Sequence, residues 1–395
     1  MIGLAHLLAI VSALGLLEAA AGWGCVRRFV RTPAPRPSAL PPITVLKPLH
    51  GNEPLLESAL ASFCCQDYPT VQIVVGVSDD RDPALSVVQR IKERFPCCDI
   101  AVVSQSLPKG RNRKVANLIN MQQAARHDIY LLSDSDMHAP PDFLRRLAAT
   151  LEQPGTGLVT ALYAGLPTGR GLAARLGATQ ITHSFLPAAL IARALGREDC
   201  LGGTMLLRRE TLTRVGGLHA LLDYLADDNV LGRLVQNHGL AVRLADAVPA
   251  TTVPEKRLSD LAQHELRWAR TIGALAPAGF AASVIQFPIA WALFAVVASG
   301  LAGWSLVLFC LTWAARAAVA AAIDRALCAR MISLDFRVPI WLLPLRDLIS
   351  VAVVVASFFS RQVVWRGEIL NVDAGIMSRS ARKARYIPRA PVERI

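Results

Sequence analysis

The sequence has little charge and lacks the cysteine spacing of common zinc or dithiol redox modules. Only 18% of its 395 residues are charged, against 53% hydrophobic, and the mean hydropathy is +0.38. The eight cysteines include two adjacent pairs, Cys64-Cys65 and Cys97-Cys98, but no Cys-x-x-Cys. We therefore expect reduced, mostly buried cysteines in a cytosolic domain. The composition is too apolar for a wholly soluble protein.

Charge is missing altogether from 271–315, and 2–26 carries only His6 and Glu18 as ionisable side chains. At about 1.5 Å per residue, the first run can cross a bilayer once and the second twice, with a turn near Gly300 and Gly303. No positive charge precedes the first run, which argues against a cleaved signal peptide. We expect an uncleaved anchor over 1–28 with its N-terminus outside, followed by a Pro-rich linker over 29–41.

A third apolar stretch, 338–360, is interrupted by Arg346 and Asp347. Such a pair is costly inside a bilayer unless it is buried or lies near an interface, so this stretch either spans or is re-entrant. Together with the uncharged run, this stretch gives a predicted C-terminal membrane region over 271–360. The predicted basic tail follows over 361–395. The basic residues behind the net charge of +12 flank the apolar runs, as the positive-inside rule predicts. Aromatic and basic residues do not alternate, so nucleic acid is not an expected partner.

The region 42–270 alternates apolar strands with helical segments, which predicts a mostly parallel, Rossmann-like α/β sheet. The predicted helices include 114–125 and 223–237. The predicted strands are 43–46, 71–77, 100–103, 129–132 and 158–162, with 205–207 resuming the pattern after a helical stretch over 165–195.

Two carboxylates, Asp134 and Asp136, directly follow the fourth predicted strand. Paired carboxylates can hold Mg²⁺ or Mn²⁺ from one side and leave the other side open to a diphosphate oxygen. Asp79 follows the second strand, and the carboxyl ends of parallel strands share one edge of a sheet. The sequence therefore predicts a metal-assisted site for a nucleotide diphosphate at that edge.

Three further segments carry polar side chains that also have ordinary structural explanations. Lys114 and Asn117 open a predicted helix and could form a solvated face. Asp227-Asp228 lies near the start of another helix, where the helix dipole favours acidic residues. The segment 263–268, Gln-His-Glu-Leu-Arg-Trp, precedes the uncharged run, and its Arg and Trp suit a membrane interface.

The order and spacing of these segments resemble the ceramide glucosyltransferase family, glycosyltransferase family 21, whose fold is of the GT-A type. Its pattern of three aspartates followed by Gln/Arg-x-x-Arg-Trp is matched by Asp79, Asp134, Asp228 and 264–268. The likeness also covers the surroundings 77–84 and 112–118 and extends from the N-terminal anchor to 365–367. One position departs, since His264 stands where the family has Gln or Arg.

The resemblance implies roles for individual residues, and those roles agree with the chemistry of the side chains. Asp228 is the expected catalytic base, and Asp134 and Asp136 the expected metal ligands. The implied nucleotide-sugar set is Asp79, Lys114, Asn117, Asp134 and Arg267. The implied acceptor or membrane-edge set is His264, Arg267 and Trp268.

The expected activity is an inverting, metal-dependent transfer of sugar from a UDP-sugar to the hydroxyl of a membrane lipid. Within the family, the likeness to the bacterial hopanoid-biosynthesis glycosyltransferases implies N-acetylglucosamine and an acceptor such as bacteriohopanetetrol. Such an enzyme would be a multi-pass protein of the bacterial inner membrane with a cytoplasmic catalytic domain. The alternatives are a ceramide glucosyltransferase that uses UDP-glucose, a processive polysaccharide synthase, a metal-dependent phosphohydrolase, and a non-catalytic nucleotide-sensing scaffold.

Overall fold

The computed structural model describes residues 2–32, 37–106, 108, 110–328, 337, 339–360, 362–365, 368–373 and 376–379. Part of the predicted linker (33–36), Lys109 and most of the predicted basic tail lie outside these residues. The described chain forms an α/β domain joined to a group of apolar helices.

A seven-stranded sheet forms the centre of the α/β domain, in the order β3-β2-β1-β4-β8-β6-β9. β8 runs antiparallel to both of its neighbours, and the remaining pairs are parallel. The predicted mostly parallel sheet is thereby confirmed. Its strands are β1 (Ile43–Pro48), β2 (Val71–Val77), β3 (Asp99–Ser104), β4 (Ile129–Ser133), β6 (Thr156–Thr160), β8 (Thr204–Arg208) and β9 (Ala241–Leu244).

Apolar side chains of these strands point alternately to two cores, one on each face of the sheet. Val45 and Leu131 enter the first core, while the next residues along, Leu46 and Leu132, enter the second. This period of two is what a strand buried on both faces requires. The covering helices are α2 (Leu56–Cys64), α3 (Ala84–Arg94), α4 (Arg113–Gln122), α5 (Phe143–Leu151), α8 (Arg209–Arg214) and α9 (Asp227–Asn237).

A second sheet of three short strands lies beyond the carboxyl end of β4 and was not expected from the sequence. β10 (Ala250–Val253) pairs antiparallel with β5 (Met137–His138) and parallel with β7 (Ala164–Pro167). The stretch 165–195, predicted to be helical throughout, therefore begins as a strand. It continues as α6 (Leu172–Gln180), a single π-helical turn (Ile181–Phe185) and α7 (Leu186–Ala194).

Three helical segments of the described chain are long and apolar enough to cross a membrane: Gly3–Arg31, Gly303–Leu327 and Ile340–Ser357. They correspond to α1 (Ile2–Arg31), α13 (Gly303–Leu327) and α14 (Leu343–Ser357) with the turn before it. A fourth candidate is a helix pair bent by 69°, Pro277–Gln286 and Pro288–Ala298. The predicted turn is present, since Gly300 and Leu301 have φ of +67° and +60°.

The first half of the uncharged run 271–315 does not form the straight membrane-crossing helix that the sequence predicts. Helix α10 (Leu258–Leu275) carries the chain out of the α/β domain and ends at Ala276, where Pro277 starts α11 (Pro277–Ala282). α12 (Pro288–Ala298) then spans only 11 residues. At about 1.5 Å per residue, that length is well short of a bilayer core of about 30 Å.

The charged pair inside the third apolar stretch is buried within the protein. Arg346 is 1% exposed and donates to both carboxylate oxygens of Glu265 on α10, at 2.7 and 2.8 Å. Its Nε also donates to Ser350. Asp347 accepts a hydrogen bond from the backbone N–H of Ile289 at 3.0 Å. The pair therefore joins α14 to α10 and α12 and does not face lipid.

The described residues end in an antiparallel three-stranded sheet of β11 (Gln362–Trp365), β12 (Glu368–Asp373) and β13 (Ile376–Arg379). The cysteines are free, as expected. They are not mostly buried, since only Cys200 is buried and four are exposed. Cys25 and Cys64 are half-buried and pack against the cores.

Arg346→Leu should lower the free energy of unfolding by about 3–5 kcal/mol, because it leaves Glu265 charged, buried and unpaired. The exposed pair Arg90–Glu57 provides a matched control, and Arg90→Leu should cost less than about 1 kcal/mol. Thermal unfolding of the detergent-solubilised protein measures both effects. Equal midpoints for the two variants would contradict the assigned role of the buried pair.

Candidate active site

The Asp134-Ser135-Asp136 segment joins β4 to β5 at the carboxyl end of the central sheet. Its conformation is held by β10, since Thr252 N–H donates to the Asp136 carbonyl at 3.0 Å and Thr251 Oγ1 donates to Asp136 Oδ2 at 2.6 Å. Burial raises the pKa of Asp136, and the charge of Asp134 raises it further. The two carboxylates therefore interact electrostatically.

Lys114 is the centre of the site. Its Nζ lies 2.7 Å from Asp134 Oδ1 and 3.5 Å from Asp227 Oδ2, so it connects the β4 loop to the start of α9. Burial alone would favour the neutral amine, but the carboxylates outweigh it and raise the pKa of Lys114. Asn112 caps α4 by accepting from Val115 N–H, and its Nδ2 donates to Asp227 Oδ1 at 3.3 Å. The cap thus fixes both Lys114 and Asp227.

Asp228 follows in the first turn of α9, next to Asp227. Burial, and then the charge of Asp227, raise the pKa of Asp228 to about 7. Asn229 N–H donates to its Oδ1 at 2.8 Å and orients the carboxylate. Gly202 lies against the other oxygen, and a Cβ at that position would come within 2.7 Å of Asp228 Oδ2. A carboxyl that titrates near neutral pH is suited to act as a general base.

Lys47 is a member of the site that the sequence reasoning missed. It is fully buried at the end of β1, and its Nζ donates to the Asp134 carbonyl at 2.6 Å and to Ser133 Oγ at 3.3 Å. The ammonium also lies 4.3 Å from the centre of the Phe63 ring. Burial lowers the pKa of Lys47 to about 8, against the effect of the nearby carboxylates. A lysine within an apolar strand (Leu46-Lys47-Pro48) was the signal available in the sequence.

Tyr163, also missed, connects the carboxylates with the helices near the membrane. Burial raises the pKa of its phenol, and the charges of Asp228, Asp134 and Asp136 raise it further. Its ring packs at 5.2 Å from Phe185 in the π turn. Trp268 belongs to the same apolar cluster.

Lys114, Asp134, Asp227 and Asp228 form what we call the Lys114 cluster. Asp79 lies at the predicted edge of the sheet but outside this cluster. β1 separates β2 from β4, so the ends of the two strands are about 10 Å apart. Its Oδ1 accepts from Arg81 N–H at 2.9 Å, and these hydrogen bonds to Arg81 lower the pKa of Asp79. The side chain is 52% exposed. Asp79 is therefore open to solvent and separate from the contacts of Asp134.

Asn117 is turned away from the cluster. Its side chain is buried, and its Nδ2 donates to the Gly76 carbonyl of β2 at 2.7 Å. A Cβ at position 76 would lie only 2.5 Å from Asn117 Oδ1, so this packing requires glycine there. The observed contact fixes α4 against the sheet and so positions Lys114, one turn earlier.

The His264–Trp268 segment lies on α10. His264 Nδ1 contacts Glu255 Oε1 at 2.5 Å, and Trp268, one turn later, packs edge-on against the imidazole at 4.5 Å between ring centres. Arg267 lies between them in the sequence, and its carbonyl accepts from Thr271 Oγ1. His264, which stands where the family has Gln or Arg, is therefore paired with a buried carboxylate.

The donor set suits a divalent cation that arrives with a diphosphate. Among the described residues, no group of three or more His, Cys, Asp or Glu side chains is arranged to hold a metal ion. Mg²⁺ is commonly held by one or two carboxylates plus substrate phosphates and water, which Asp134 and Asp136 can satisfy. Lys47 and Lys114 lie beside these carboxylates and weaken their attraction for a cation that carries no phosphate.

Comparison with known proteins identifies the family. The sequence model of Glycosyl transferase family 21 matches residues 5–377, nearly the whole chain. The protein belongs to this family.

Curated relatives of this family 21 protein include ceramide glucosyltransferases. Ceramide glucosyltransferase 1 of Caenorhabditis elegans is 24% identical over 229 residues, which cover 58% of this chain and 49% of the relative. The ceramide glucosyltransferase of Gibberella zeae is 32% identical over 138 residues, or 31% of this chain and 26% of the relative. The chain thus spans at most about half the length of these two relatives.

Among solved structures, the mannosyltransferase PcManGT of Pyrobaculum calidifontis, in complex with GDP-Man and Mn²⁺, aligns with a TM-score of 0.52. It is 21% identical, and the alignment covers 90% of this chain and 99% of that one. The predicted GT-A type fold is confirmed for this family 21 protein.

Lys47→Met should weaken binding of UDP in the presence of Mn²⁺ by about tenfold, since the Asp134 carbonyl loses a charged hydrogen-bond donor. Lys92→Met, on the outer helix α3, is the control and should bind as the wild type does. Titration of each purified variant with UDP at fixed Mn²⁺, followed by intrinsic tryptophan fluorescence, gives the dissociation constants. Unchanged UDP affinity in a folded Lys47→Met variant would exclude a role for Lys47 in holding this loop.

Proposed function

We propose that this protein is an inverting glycosyltransferase that transfers a sugar from a UDP-sugar to the hydroxyl of a membrane lipid. The observation that carries the proposal is the Lys114 cluster. In this cluster the Lys114 ammonium contacts Asp134 and Asp227, and Asp228 is within its electrostatic reach. This arrangement supports the proposal, in which Asp134 belongs to the diphosphate side and Asp228 to the acceptor side.

The donor side would bind and stabilise the departing diphosphate. A divalent ion held by Asp134 and Asp136 would act as a Lewis acid on the diphosphate oxygens. Lys114 supplies positive charge to the same group, and Arg267 is the second cation proposed for it. Asp79, at the neighbouring strand end, would accept hydrogen bonds from the nucleoside.

The acceptor side would use Asp228 as the base. With a pKa of about 7, this carboxyl is about half ionised at neutral pH, and its ionised form can take a proton. Removal of the proton from the lipid hydroxyl lets that oxygen attack the anomeric carbon from the face opposite the diphosphate. The configuration at that carbon is then inverted.

The acceptor is proposed to be a lipid because candidate membrane helices lie on both sides of the domain in the sequence. Two donor and acceptor pairs are supported. The resemblance to the hopanoid-biosynthesis enzymes favours N-acetylglucosamine and bacteriohopanetetrol, in a bacterial inner membrane with the catalytic domain in the cytoplasm. The curated relatives favour glucose and ceramide.

The number of candidate spans disfavours a processive synthase. Such an enzyme would need helices to enclose a polymer channel, and the described chain has three candidate spans, or four with the bent pair.

Purified full-length protein should transfer labelled sugar from one of two donors, UDP-N-acetylglucosamine or UDP-glucose, to bacteriohopanetetrol or ceramide. The lipid product, extracted and separated by thin-layer chromatography, identifies the pair. EDTA should abolish transfer, and Mn²⁺ or Mg²⁺ should restore it. Release of free sugar without a lipid product would contradict the transferase assignment, and full activity in EDTA would contradict the metal role.

Asp228→Asn should lower kcat by at least about 1,000-fold and leave UDP-sugar binding intact, because the amide cannot accept the proton. In the wild type, kcat/KM should rise about tenfold per pH unit up to about pH 7 and then level off, since a raised carboxyl pKa keeps the base protonated below that value. Asp223→Asn, an exposed residue of the same loop, is the control. A rate that falls as pH rises from 5.5 to 7, or an active Asp228→Asn, would exclude this base.

A further inference from the structure

The Gly202-Gly203 dipeptide, which directly precedes β8, contacts three members of the Lys114 cluster. The Gly202 carbonyl accepts a hydrogen bond from Lys114 Nζ at 3.5 Å, and the Gly203 carbonyl accepts from Asp134 N–H at 3.3 Å. The Asp228 carboxylate packs against Gly202, where any other residue would place its Cβ. Backbone without a side chain therefore lies next to both Asp134 and Asp228.

The ring of Tyr163 packs against the same dipeptide. A Cβ at position 203 would lie 3.3 Å from Tyr163 Cδ1 and 3.0 Å from Met137 Sδ, closer than the usual contact distance of about 3.5–4.0 Å between carbon atoms. The ring also contacts Phe185, at 5.2 Å between ring centres and 31° between ring planes. Contacts with Gly203 and Phe185 thus fix the direction of the side chain before a substrate binds.

The hydroxyl of Tyr163 is available to a ligand. The side chain is half-buried, and within the part of the chain that the structure describes its hydroxyl makes no hydrogen bond. The charges of Asp228, Asp134 and Asp136 all act on the phenol, so the hydroxyl is within electrostatic reach of the carboxylates from both segments. A phenol can donate one hydrogen bond and accept others.

The geometry of an inverting transfer determines where the sugar must lie. The attacking and leaving oxygens are on opposite sides of the anomeric carbon, and both must be held close to it. The proposed function assigns the diphosphate to Asp134 and Asp136 and the attacking hydroxyl to Asp228. The transferred sugar then lies between these groups, beside the Gly202-Gly203 backbone and Tyr163.

The charges of the site disfavour a sugar that carries a carboxylate. Asp134, Asp227 and Asp228 all act on the single ammonium of Lys114. A sugar carboxylate between these groups would be repelled by them. The hydroxyls of an uncharged hexose can instead donate to carboxylate oxygens and exchange hydrogen bonds with the phenol.

We infer that Tyr163 contacts the transferred sugar of the donor, an uncharged hexose, and donates or accepts a hydrogen bond through its hydroxyl. The Gly202-Gly203 backbone leaves the space for this sugar between Asp134 and Asp228. The inference rests on the proposed function for the positions of the diphosphate and the acceptor hydroxyl. It adds the residue by which the site distinguishes a nucleotide sugar from the nucleotide alone.

Tyr163→Phe separates this role from packing, because it removes the hydroxyl and keeps the ring in its apolar cluster with Trp268. Tyr68→Phe is the matched control, since the Tyr68 hydroxyl donates to the Pro41 carbonyl at 2.8 Å, at the opposite end of β1 from the site. Purified full-length protein with Mn²⁺ and no lipid acceptor is titrated with UDP, UDP-glucose and UDP-N-acetylglucosamine by isothermal calorimetry. Tyr163→Phe should weaken binding of the preferred UDP-sugar by about tenfold and leave that of UDP within about twofold. Tyr68→Phe should leave both unchanged.

Two further measurements examine the wild type and the pH dependence. UDP-glucuronate, whose sugar carries a carboxylate, should bind the wild type at least about tenfold more weakly than the preferred neutral donor. Tyr163→Phe should lower kcat/KM for the donor but keep the rise of the rate up to about pH 7, because Asp228 remains the base. A pH profile shifted by Tyr163→Phe would show that the hydroxyl acts on Asp228 and would overturn the inferred contact with the sugar.

The outcomes distinguish the inference from the proposed function. Equal weakening of UDP and UDP-sugar by Tyr163→Phe, or no weakening of either, would overturn the role of Tyr163 and leave the transferase assignment in place. Tight binding of UDP-glucuronate would overturn the restriction to uncharged sugars. If selective weakening is observed but the wild type glycosylates no lipid, the sugar contact stands and the proposed acceptor is wrong. A wild type that binds no nucleotide sugar would overturn both.

Discussion

The ion pairs of Lys114 with Asp134 and Asp227 are the constraint on which the site depends. The β4–β5 loop and the start of α9, far apart in sequence, each bring two carboxylates to one partly buried place, where like charges repel. A cation between them makes that arrangement stable, and Lys47 adds a second cation beneath the β4 loop. The remaining geometry serves these contacts, because the Asn112 cap and the Asn117–Gly76 bond fix the helix that carries Lys114.

The sheet, and the position of aspartates at its strand ends, could be predicted from the sequence because their signals are local. Apolar runs of four to seven residues mark buried strands, and the aspartates at the ends of β2 and β4 follow from the rule that ligands collect there. Asp228 at the start of a helix is equally visible. The resemblance to the family then related these separate motifs to one another, because their order along the chain matches the family pattern. No single motif carries that information.

The residues that were missed depend on contacts between distant segments. No residue near Lys47 in the sequence indicates that its ammonium will donate a hydrogen bond to the carbonyl of Asp134, 87 residues later. β5 and β10 are too short to form a recognisable pattern, and they are defined by pairing, β5 with β10 and β10 also with β7. Asn117 shows the reverse case, since its role in the nucleotide-sugar set stays a prediction although its side chain bonds elsewhere. It is one turn from Lys114, yet the rotation of the helix points its amide toward the sheet, and spacing alone does not reveal this.

Helix α10 joins the two parts of the molecule without a break. His264 and Trp268 contact the domain side, while Glu265 points to Arg346 of α14. One residue added within an α-helix turns everything after it by about 100° and advances it by about 1.5 Å. The length of 258–275 is therefore under the same constraint as the identity of its motif residues. A chimera between members of the family would have to keep this helix whole, with its crossover points placed before Arg257 or after Ala276.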